Sequence, residues 1–413
     1  MALLRHHPVA QALRGCAAGL EPHLVGGVLR DRLLGLPAVD FDGVVAGEGS
    51  AVADRLASAL RATKVGLGGQ RFAAYRLVGR GFTLDLWDRE GGSIEADLAR
   101  RDFTVNAIAL DLETGAVRDP QGGLGDLGRR VLRAVGPDAF RGDPLRVLRL
   151  ARLLVQLPGF AADPATLQLA RPEASRLAEV AAERVREELR RLFAGDDAHR
   201  GLLALEALHV YPGLWLGRPG DPSIHAGAIE ELERLAEAAL EMRRLAVRWA
   251  EAVDLPLARW ASTFAELAPA AEPSAALRRF AAAGYVSRSA ADRIAGLLLA
   301  AEIPRGEMAS RHFLHDSAEL WPTAAVWLGS RALRRGGGEE WRRWLRSLAA
   351  LVEADGPAIL RPPALLRGEE VAAILGVAPG PEVGRALARL RRAQVEGTVR
   401  SREAAVALLR QPG

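Results

Sequence analysis

The segment LVGGVLRDRLLGLPAVDFDGVV, residues 24–45, constrains the fold of this chain more than any other stretch. Apolar residues before Gly26 and Gly27 predict a strand, the pattern after them predicts a helix, and the alternation around Asp40 and Asp42 predicts a second strand. Side chains two residues apart on a strand point to the same face of the sheet. The segment therefore predicts a strand–turn–helix–strand unit with two carboxylates on one face.

These residue types are suited to phosphate chemistry. Asp40 and Asp42 form a hard oxygen site that favours Mg²⁺. Gly26 and Gly27 would let backbone N–H groups approach phosphates at the start of a helix, and Arg30 lies one turn further on. Either pattern alone is common in surface turns. Their combination in this order predicts a phosphate cradle beside a metal site, as phosphoryl-type transfer requires.

The order Gly-Gly then Asp-x-Asp resembles the signature of the polymerase-beta-like nucleotidyltransferase superfamily. That superfamily often has a third acidic residue on a neighbouring strand. Asp85, in FTLDLWD, is the candidate here, and Asp88 is less suitable because it falls at the strand end. The alternative is that Asp85 is an ordinary solvated carboxylate.

The rest of the chain divides into a mixed part and a helical part. Strands are predicted at 72–78 and 82–87, and a hairpin at 107–118. After Pro137 the strand signals disappear, and helical periodicity runs through segments such as 140–156 and 164–177. A length of 413 residues exceeds one compact core, and abundant Leu and Ala favour helix. The predicted class is an α+β head with a small mixed sheet, followed by helices, with a linker at 356–363.

Charge and cysteine content indicate which partners and which cellular compartment suit this chain. Basic residues number 55 and acidic residues 51, and all of the basic residues except Lys64 are arginines. Arginine grips phosphates bidentately, which suits a nucleotide or nucleic-acid partner, although a GC-rich genome also favours it. With Cys16 as the only cysteine, no intrachain disulfide can form, and no apolar run is long enough to span a membrane. We expect a soluble, cytoplasmic protein.

Two further motifs carry charged residues in regular positions. In RRDFTVNAIAL a basic pair enters a buried strand, a pattern that usually marks only an exposed surface. In FRGDPLRVLRLARLL charged residues recur every three positions and predict a stripe on one helix, which is either a solvated face or a site for an anion or a base edge. The residues concerned are Arg100, Arg101, Asp102 and Asn106 in RRDFTVNAIAL, the second motif of the chain, and Asp143, Arg146, Arg149 and Arg152 in FRGDPLRVLRLARLL, the third motif.

Together the three motifs resemble the bacterial class II tRNA nucleotidyltransferase and poly(A) polymerase family, whose members include CCA- and CC-adding enzymes. The likeness covers nearly the whole chain and is strongest over 22–195. It implies a catalytic head (1–136), a helical neck for base selection (137–195), a helical body (196–355) and a helical tail (356–413). Body and tail would hold the acceptor and T arms of tRNA.

The resemblance also implies roles for individual residues. Asp40 and Asp42 would bind Mg²⁺, with Asp85 as a possible third catalytic carboxylate. Asp143 and Arg146 would read the Watson–Crick edge of the incoming base, since Arg donates and Asp accepts hydrogen bonds. The nucleotide site would comprise Gly26, Gly27, Arg30, Arg101, Asp102, Asn106, Asp143, Arg146, Arg149 and Arg152.

Two departures from the family pattern bear on the product. The family's leading Glu of the third motif is Gly142 here, which loosens or redirects the support of Arg146. The stretch between Asp85 and Arg100 is short, as in relatives that add only two cytidines. We therefore expect a CC-adding enzyme that uses CTP and works with a separate A-adding enzyme. The alternatives are a complete CCA-adding enzyme that also uses ATP, a poly(A) polymerase, and a non-catalytic RNA-binding relative.

Overall fold

The computed structural model describes residues 2–37, 39–67, 74–89, 92–195, 197–210, 222–267, 273–300 and 302–411. The chain forms two compact units. The first consists of Met1–Ala181 and Ala204–Leu214, and the second of Ala182–Leu203 and Trp215–Gly413. Each unit is described separately below, and the four-part division drawn from the sequence stays a prediction.

All strands of the described ranges lie in the first unit. Seven form one mixed sheet in the order β3-β4-β5-β2-β1-β6-β7, in which only β2 and β5 are parallel, while β8 and β9 form a separate parallel pair. The strands are β1 (His23–Val25), β2 (Asp40–Val45), β3 (Thr63–Leu67), β4 (Ala74–Gly79), β5 (Phe82–Asp88), β6 (Ala109–Asp111), β7 (Val117–Arg118), β8 (Val131–Leu132) and β9 (Ala161–Ala162).

Short helices surround this sheet. They are α1 (Ala2–Arg5), α2 (Pro8–Cys16), α3 (Gly27–Leu33), α4 (Gly49–Leu60), α5 (Ile94–Leu98), α6 (Gly123–Arg129), α7 (Ala139–Gly142), α8 (Arg146–Gln156) and α9 (Pro164–Ala170), with 3₁₀ turns at Thr104–Asn106 and Arg171–Glu179. The mixed sheet with its helices confirms the predicted α+β head.

Helices cover the two faces of the sheet differently. One face packs against α2 and α4, and at Gly43 a Cβ atom would lie only 2.9 Å from the Leu13 side chain of α2. Glycine at this position therefore lets the helix approach β2 closely. The opposite face, which carries Asp40 and Asp42, is covered only in part, by α5 through the buried side chains of Ile94 and Leu98. The carboxylates thus lie beyond the edge of a small apolar core.

Several local predictions for this unit were wrong, and proline explains most of them. The predicted helix 140–156 is two helices, because Pro144 disfavours helical backbone at Asp143, which is extended with φ −148° and ψ 98°. Asp143 is therefore not on the helix that carries the three arginines. At Pro172 the predicted helix 164–177 likewise changes to a 3₁₀ turn, which runs from Arg171 to Glu179.

The second unit is helical throughout its described residues, which confirms the predicted helical remainder. Its core contains the fully buried rings of Trp327, Trp341 and Phe264. The helices from the end of the first unit onward are α10 (Ala182–Ala194), α11 (Ala198–Ala207), α12 (Pro222–Leu245), α13 (Val247–Ala250), α14 (Leu255–Leu267), α15 (Pro273–Ala282), α16 (Arg288–Leu299), α17 (Gly306–Ser317), α18 (Trp321–Arg334), α19 (Gly338–Leu360), α20 (Gly368–Leu375), α21 (Pro381–Val395) and α22 (Arg402–Arg410), with a 3₁₀ turn at Ala318–Leu320.

The linker predicted at 356–363 is wrong for its first part, because α19 continues through Gly356 and Pro357 to Leu360. Pro357 removes one hydrogen bond, to the carbonyl of Glu353, which is exposed and so remains open to water. Among the described helices, none is both long and apolar enough to cross a membrane.

Candidate active site

Two aspartates of β2 project from the partly covered face of the sheet. Asp40 is exposed and Asp42 is half-buried, while Phe41 between them is buried on the opposite face. Asp42 stands directly beside Val25 of β1 on one side and Asp85 of β5 on the other. The predicted placement of the two carboxylates on one face is therefore present, with a third carboxylate on the adjacent strand.

Asp42 lies in an environment that disfavours its charge. Burial, with the nearby carboxylates of Asp85 and Asp40, raises its pKa from 3.8 to about 6, against the opposing effect of Arg101 and Arg149. A cation bound between the carboxylates would relieve this cost.

The donor set fits a magnesium ion that completes its shell elsewhere. In the ranges the structure describes, no group of three or more His, Cys, Asp or Glu side chains is arranged to hold a metal. Mg²⁺ usually takes one or two carboxylates and fills its remaining positions with water and substrate phosphates. Asp40 and Asp42 could therefore supply the protein ligands of such a site.

The Gly-Gly turn lies close to the carboxylate of Asp42. Gly26 has φ +77°, and a Cβ atom there would lie 2.8 Å from Asp42 Oδ2 and 3.2 Å from Arg101 Nη1. Only glycine meets both the backbone angle and the space. The turn leads into α3 at Gly27, whose own Cβ position is 3.3 Å from Arg30 Nη2. The turn thus brings main chain, carboxylate and two guanidinium groups together.

Arg30 is held in place by the second motif. It is buried, with 8% of the residue exposed, and its Nη1 donates to Asn106 Oδ1 at 2.6 Å, while Nε and Nη2 contact Asp31 Oδ1 at 2.8 and 2.7 Å. Asn106 in turn donates from Nδ2 to Asp102 Oδ1 at 3.0 Å. The predicted triphosphate contact of Arg30 stays a prediction, but its guanidinium lies beside the Gly-Gly turn.

Asp102 joins the second motif to helix α8. Arg149 Nη1 donates to Asp102 Oδ2 at 3.0 Å, and the Phe103 N–H donates to Oδ1 at 2.8 Å. Burial by itself raises the pKa of Asp102, but Arg149, Asn106 and the Phe103 N–H outweigh it and bring the pKa down to about 2. Asp102 is therefore an ionised residue that links the second motif to the third, although the two are far apart in sequence.

Asp97 holds one edge of the Arg101 guanidinium and leaves the other edge on the side of Gly26. Arg101 Nε and Nη2 donate to Asp97 Oδ2 at 3.2 and 2.9 Å, and the guanidinium lies 5.5 Å from the Trp87 ring centroid. Nη1 remains on the side of Gly26. Sequence reasoning missed Asp97, although its spacing of four residues before Arg101 was a usable signal.

The third motif is brought against the second by Arg146. Its guanidinium donates to the carbonyl oxygens of Arg100, Arg101 and Ala139 at 2.7, 3.1 and 2.9 Å. Asp143 accepts from the Leu145 N–H at 3.3 Å in the bend before α8. Base reading by this pair stays a prediction, and in this state Arg146 holds backbone.

The other residues of the third motif have different surroundings. Gly142 is exposed, and a Cβ atom added there would have no neighbour within 4 Å, so the position of the absent family Glu is open space. Arg152 Nη1 donates to Gln156 Oε1 at 3.2 Å on the same helix. Of the three arginines of α8, Arg146 and Arg149 therefore reach the second motif through these bonds.

Asp85 has a partner that sequence reasoning did not identify. Arg76 of β4, directly opposite Asp85 in the sheet, donates from Nε and Nη2 to its two carboxylate oxygens, each at 2.7 Å. The Asp85 carboxylate is therefore ion-paired with Arg76 and is not an ordinary solvated carboxylate. No signal in a single sequence could show this contact, because it depends on the register of two strands.

Comparison with known proteins agrees with this arrangement. The family model of the poly A polymerase head domain matches residues 82–133, and that of a probable RNA and SrmB-binding site of polymerase A matches 159–215. An A-adding tRNA nucleotidyltransferase of Deinococcus radiodurans is 35% identical, with 91% of this chain and 92% of that protein covered. A CC-adding tRNA nucleotidyltransferase of Geobacter sulfurreducens is 32% identical, with 93% and 90% covered.

Solved structures show the same fold. The Bacillus stearothermophilus CCA-adding enzyme in complex with CTP superposes with a TM-score of 0.68 at 27% identity, over 98% of this chain and 97% of that one. The Thermotoga maritima CCA-adding enzyme complexed with tRNA has a TM-score of 0.65 at 20% identity, over 98% and 96%. The chain therefore belongs to the tRNA nucleotidyltransferase family that includes the CCA-, CC- and A-adding enzymes.

Proposed function

We propose that this protein adds cytidines from CTP to the 3′ end of tRNA with Mg²⁺ held by Asp40 and Asp42. The observation that carries the proposal is that the Asp42 carboxylate and the Arg101 guanidinium both lie against the Gly26 turn, 2.8 and 3.2 Å from the position of a Cβ atom there. A metal–triphosphate complex needs carboxylates for the ion and N–H or guanidinium donors for the phosphates, side by side.

In the proposed reaction the tRNA 3′-hydroxyl oxygen attacks the α-phosphorus of CTP, the bond to the bridging oxygen breaks, and pyrophosphate leaves. When bound, Mg²⁺ supplies charge neutralisation and lowers the pKa of the attacking hydroxyl. Arg101 would contact the triphosphate from the edge that Asp97 leaves open, and Arg30 would support the Gly-Gly turn. The protein's contribution is positioning and electrostatic stabilisation, with no side-chain nucleophile.

Base selection is proposed for Asp143 and Arg146, with Arg149 and Arg152 in support. Arg146 donates three of its five guanidinium N–H groups to backbone carbonyls, so the remaining donors would be offered to the incoming base. The Asp102–Arg149 ion pair would keep α8 in place while the base binds. The second unit would hold the acceptor and T arms of tRNA through arginine–phosphate contacts.

A product of two cytidines is supported by the connection between β5 and α5, which is only five residues, 89–93. Its two ends are fixed, because Asp88 Oδ1 accepts the Gly49 N–H at 2.9 Å and Ile94 is buried. A segment this short leaves little room to rearrange the site from cytosine to adenine. A second candidate, addition of the terminal adenosine alone, is favoured by the name of the Deinococcus relative.

Three tRNA transcripts separate these products: one ending at the discriminator base, one carrying a single added C, and one carrying two. Each is incubated with Mg²⁺ and CTP, ATP or both, with Asp40→Ala and Asp42→Ala proteins as controls. Products that stop after two cytidines with ATP present support the proposal. Adenosine added only to the transcript with two cytidines makes the protein A-adding, and completed CCA refutes the short-connection argument.

Two further outcomes would change the assignment more deeply. A long adenosine ladder would identify a poly(A) polymerase. Failure of the wild-type protein to extend any transcript, in buffers with Mg²⁺, would favour a non-catalytic RNA-binding relative. Activity that persists in both aspartate variants would remove Asp40 and Asp42 from the proposed metal site.

A further inference from the structure

Arg76 and Asp85 form an ion pair at the edge of the proposed active site, and its geometry differs from that of a metal ligand. Both oxygens of Asp85 accept from Arg76, at 2.7 Å each, so a metal would have to displace a bidentate guanidinium to bind there. Arg76 Nη1 has no hydrogen-bond partner among the described residues. Asp85 therefore fixes the Arg76 guanidinium through Nε and Nη2 and leaves Nη1 available at the surface of the sheet.

The position of Arg76 within the sheet defines which substrate it can reach. A single row runs across the face through Val25, Asp42, Asp85 and Arg76, on β1, β2, β5 and β4. Gly26 follows the β1 end of this row, so the proposed triphosphate side is at that end. Arg76 lies on the other side of the carboxylates. In an in-line displacement the attacking and leaving oxygens lie on opposite sides of the phosphorus, so Arg76 is on the side of the attacking RNA.

Two exposed valines lie on the same face of the sheet beside Arg76. Val65 of β3 stands directly opposite Arg76, and Val78 is two residues further along β4 on the same face; their exposed fractions are 44% and 47%. Leu77, which lies between Arg76 and Val78 on β4, points to the opposite face and is fully buried. Two valines left exposed beside a guanidinium match the chemistry of one nucleotide, whose sugar and base are partly apolar and whose phosphate is anionic.

We propose that Arg76, oriented by Asp85, binds the phosphodiester next to the 3′ end of the RNA that is being extended, with the terminal nucleoside resting on Val65 and Val78. Asp85 is in this account a positioning residue and not a metal ligand. The inference rests on the proposed function, since it assumes that an RNA 3′-hydroxyl is the attacking group.

The test compares Arg76→Gln and Arg76→Lys with Arg80→Gln, which changes an exposed arginine in the neighbouring β4–β5 turn. Affinity is measured for fluorescently labelled tRNA in EDTA across a salt series, and KM is measured separately for tRNA and CTP. Arg76→Gln should weaken tRNA binding by roughly ten- to a hundred-fold, as for a lost charge-assisted hydrogen bond. It should also reduce the slope of log affinity against log salt by about 0.7.

The remaining variants separate the effect of the bidentate guanidinium geometry of Arg76 from the effect of its positive charge. Arg76→Lys should keep most of the salt slope and lose part of the affinity, because it keeps the charge without the bidentate fork. Arg80→Gln should behave as wild type, and KM for CTP should change little in all three. A rise in KM for CTP with tRNA affinity unchanged would overturn the proposal, as would equal effects of Arg80→Gln and Arg76→Gln.

The role of Asp85 is tested by metal binding without catalysis. Mn²⁺ bound to the protein is counted by electron paramagnetic resonance for wild type, Asp85→Asn and Asp42→Asn. Asp85→Asn should bind Mn²⁺ as wild type does while losing tRNA affinity, whereas Asp42→Asn should lose Mn²⁺. Loss of Mn²⁺ with Asp85→Asn would make Asp85 a ligand and refute the assignment.

Failure of the proposed function would look different from failure of this inference. If the wild type binds tRNA in an Arg76-dependent way but extends none of the transcripts, the catalytic proposal fails and the RNA contact stands. If the wild type extends tRNA and Arg76→Gln neither binds it more weakly nor raises its KM, only this inference fails.

Discussion

Asp42 should make the metal-free head less stable than it would be with a neutral side chain in the same position. Burial and the neighbouring Asp85 and Asp40 raise the pKa of Asp42 from 3.8 to about 6. An acid whose pKa is higher in the folded state costs nothing below the unfolded pKa, where it is protonated in both states. The cost grows between the two pKa values and is complete above about pH 6.

The magnitude follows from the size of the shift. A difference of about 2 pK units corresponds to about 3 kcal/mol, at about 1.4 kcal/mol per unit. Asp42→Asn keeps the shape of the side chain and removes the charge. In EDTA near neutral pH this variant should therefore be more stable in the head than the wild type by up to about 3 kcal/mol, and the gain should vanish below about pH 4.

Hydrogen exchange measured by mass spectrometry reports the head separately from the second unit. For peptides of β2 and β5, about 3 kcal/mol means roughly 100-fold slower exchange in Asp42→Asn at the same pH. Asp40→Asn is the matched control, since Asp40 is exposed and its replacement should change stability by less than about 0.5 kcal/mol. Mg²⁺ should narrow the difference by stabilising the wild type. Equal or faster exchange in Asp42→Asn would refute the reasoning.

Three further substitutions test individual contacts. Gly26→Ala should lower turnover of tRNA by at least about 100-fold, because its Cβ would press on the Asp42 carboxylate at 2.8 Å. Gly35→Ala, also at positive φ but in open space, carries the same backbone strain without the contact and should keep its turnover of tRNA in the same assay. Asp97→Asn should raise KM for the nucleotide about ten-fold, because it releases the edge of the Arg101 guanidinium that Asp97 holds. The same assay on Glu95→Gln, exposed on the same helix, should show no change. Arg149→Leu should lower the free energy of unfolding of the head by about 3–5 kcal/mol, since it leaves a buried carboxylate unpaired; unchanged exchange protection of the head would contradict this.

Local spacing was enough to predict that Asp40 and Asp42 share one face of the sheet. Gly26, Gly27, Asp40 and Asp42 belong to one short segment, so the periods of strand and helix decide which side chains share a face. The distinction between a mixed head and a helical remainder rests on the same periodicity over longer stretches. These features depend on neighbours in sequence, which a single chain displays directly.

Contacts between distant segments were not predictable in the same way. The Arg76–Asp85 pair requires the register of β4 on β5, and the Asp102–Arg149 pair requires α8 to pack beside the second motif. The stripe predicted for the third motif is wrong at Asp143, because Pro144 keeps that residue out of the helix. The short edge strand β3 was missed because its sequence, TKVGL, holds only two apolar residues.

Helix α19 has a practical consequence for exchanging modules among relatives. It runs from Gly338 to Leu360 without interruption, and Ile359 in its last turn is fully buried. A chimera joined at Gly356, where glycine and proline suggest a natural joint, would cut one helix and leave half of a buried surface on each parent. The non-helical stretch 361–367 offers a junction that leaves α19 whole. In recombining such chains, crossover points should follow helix ends and not composition.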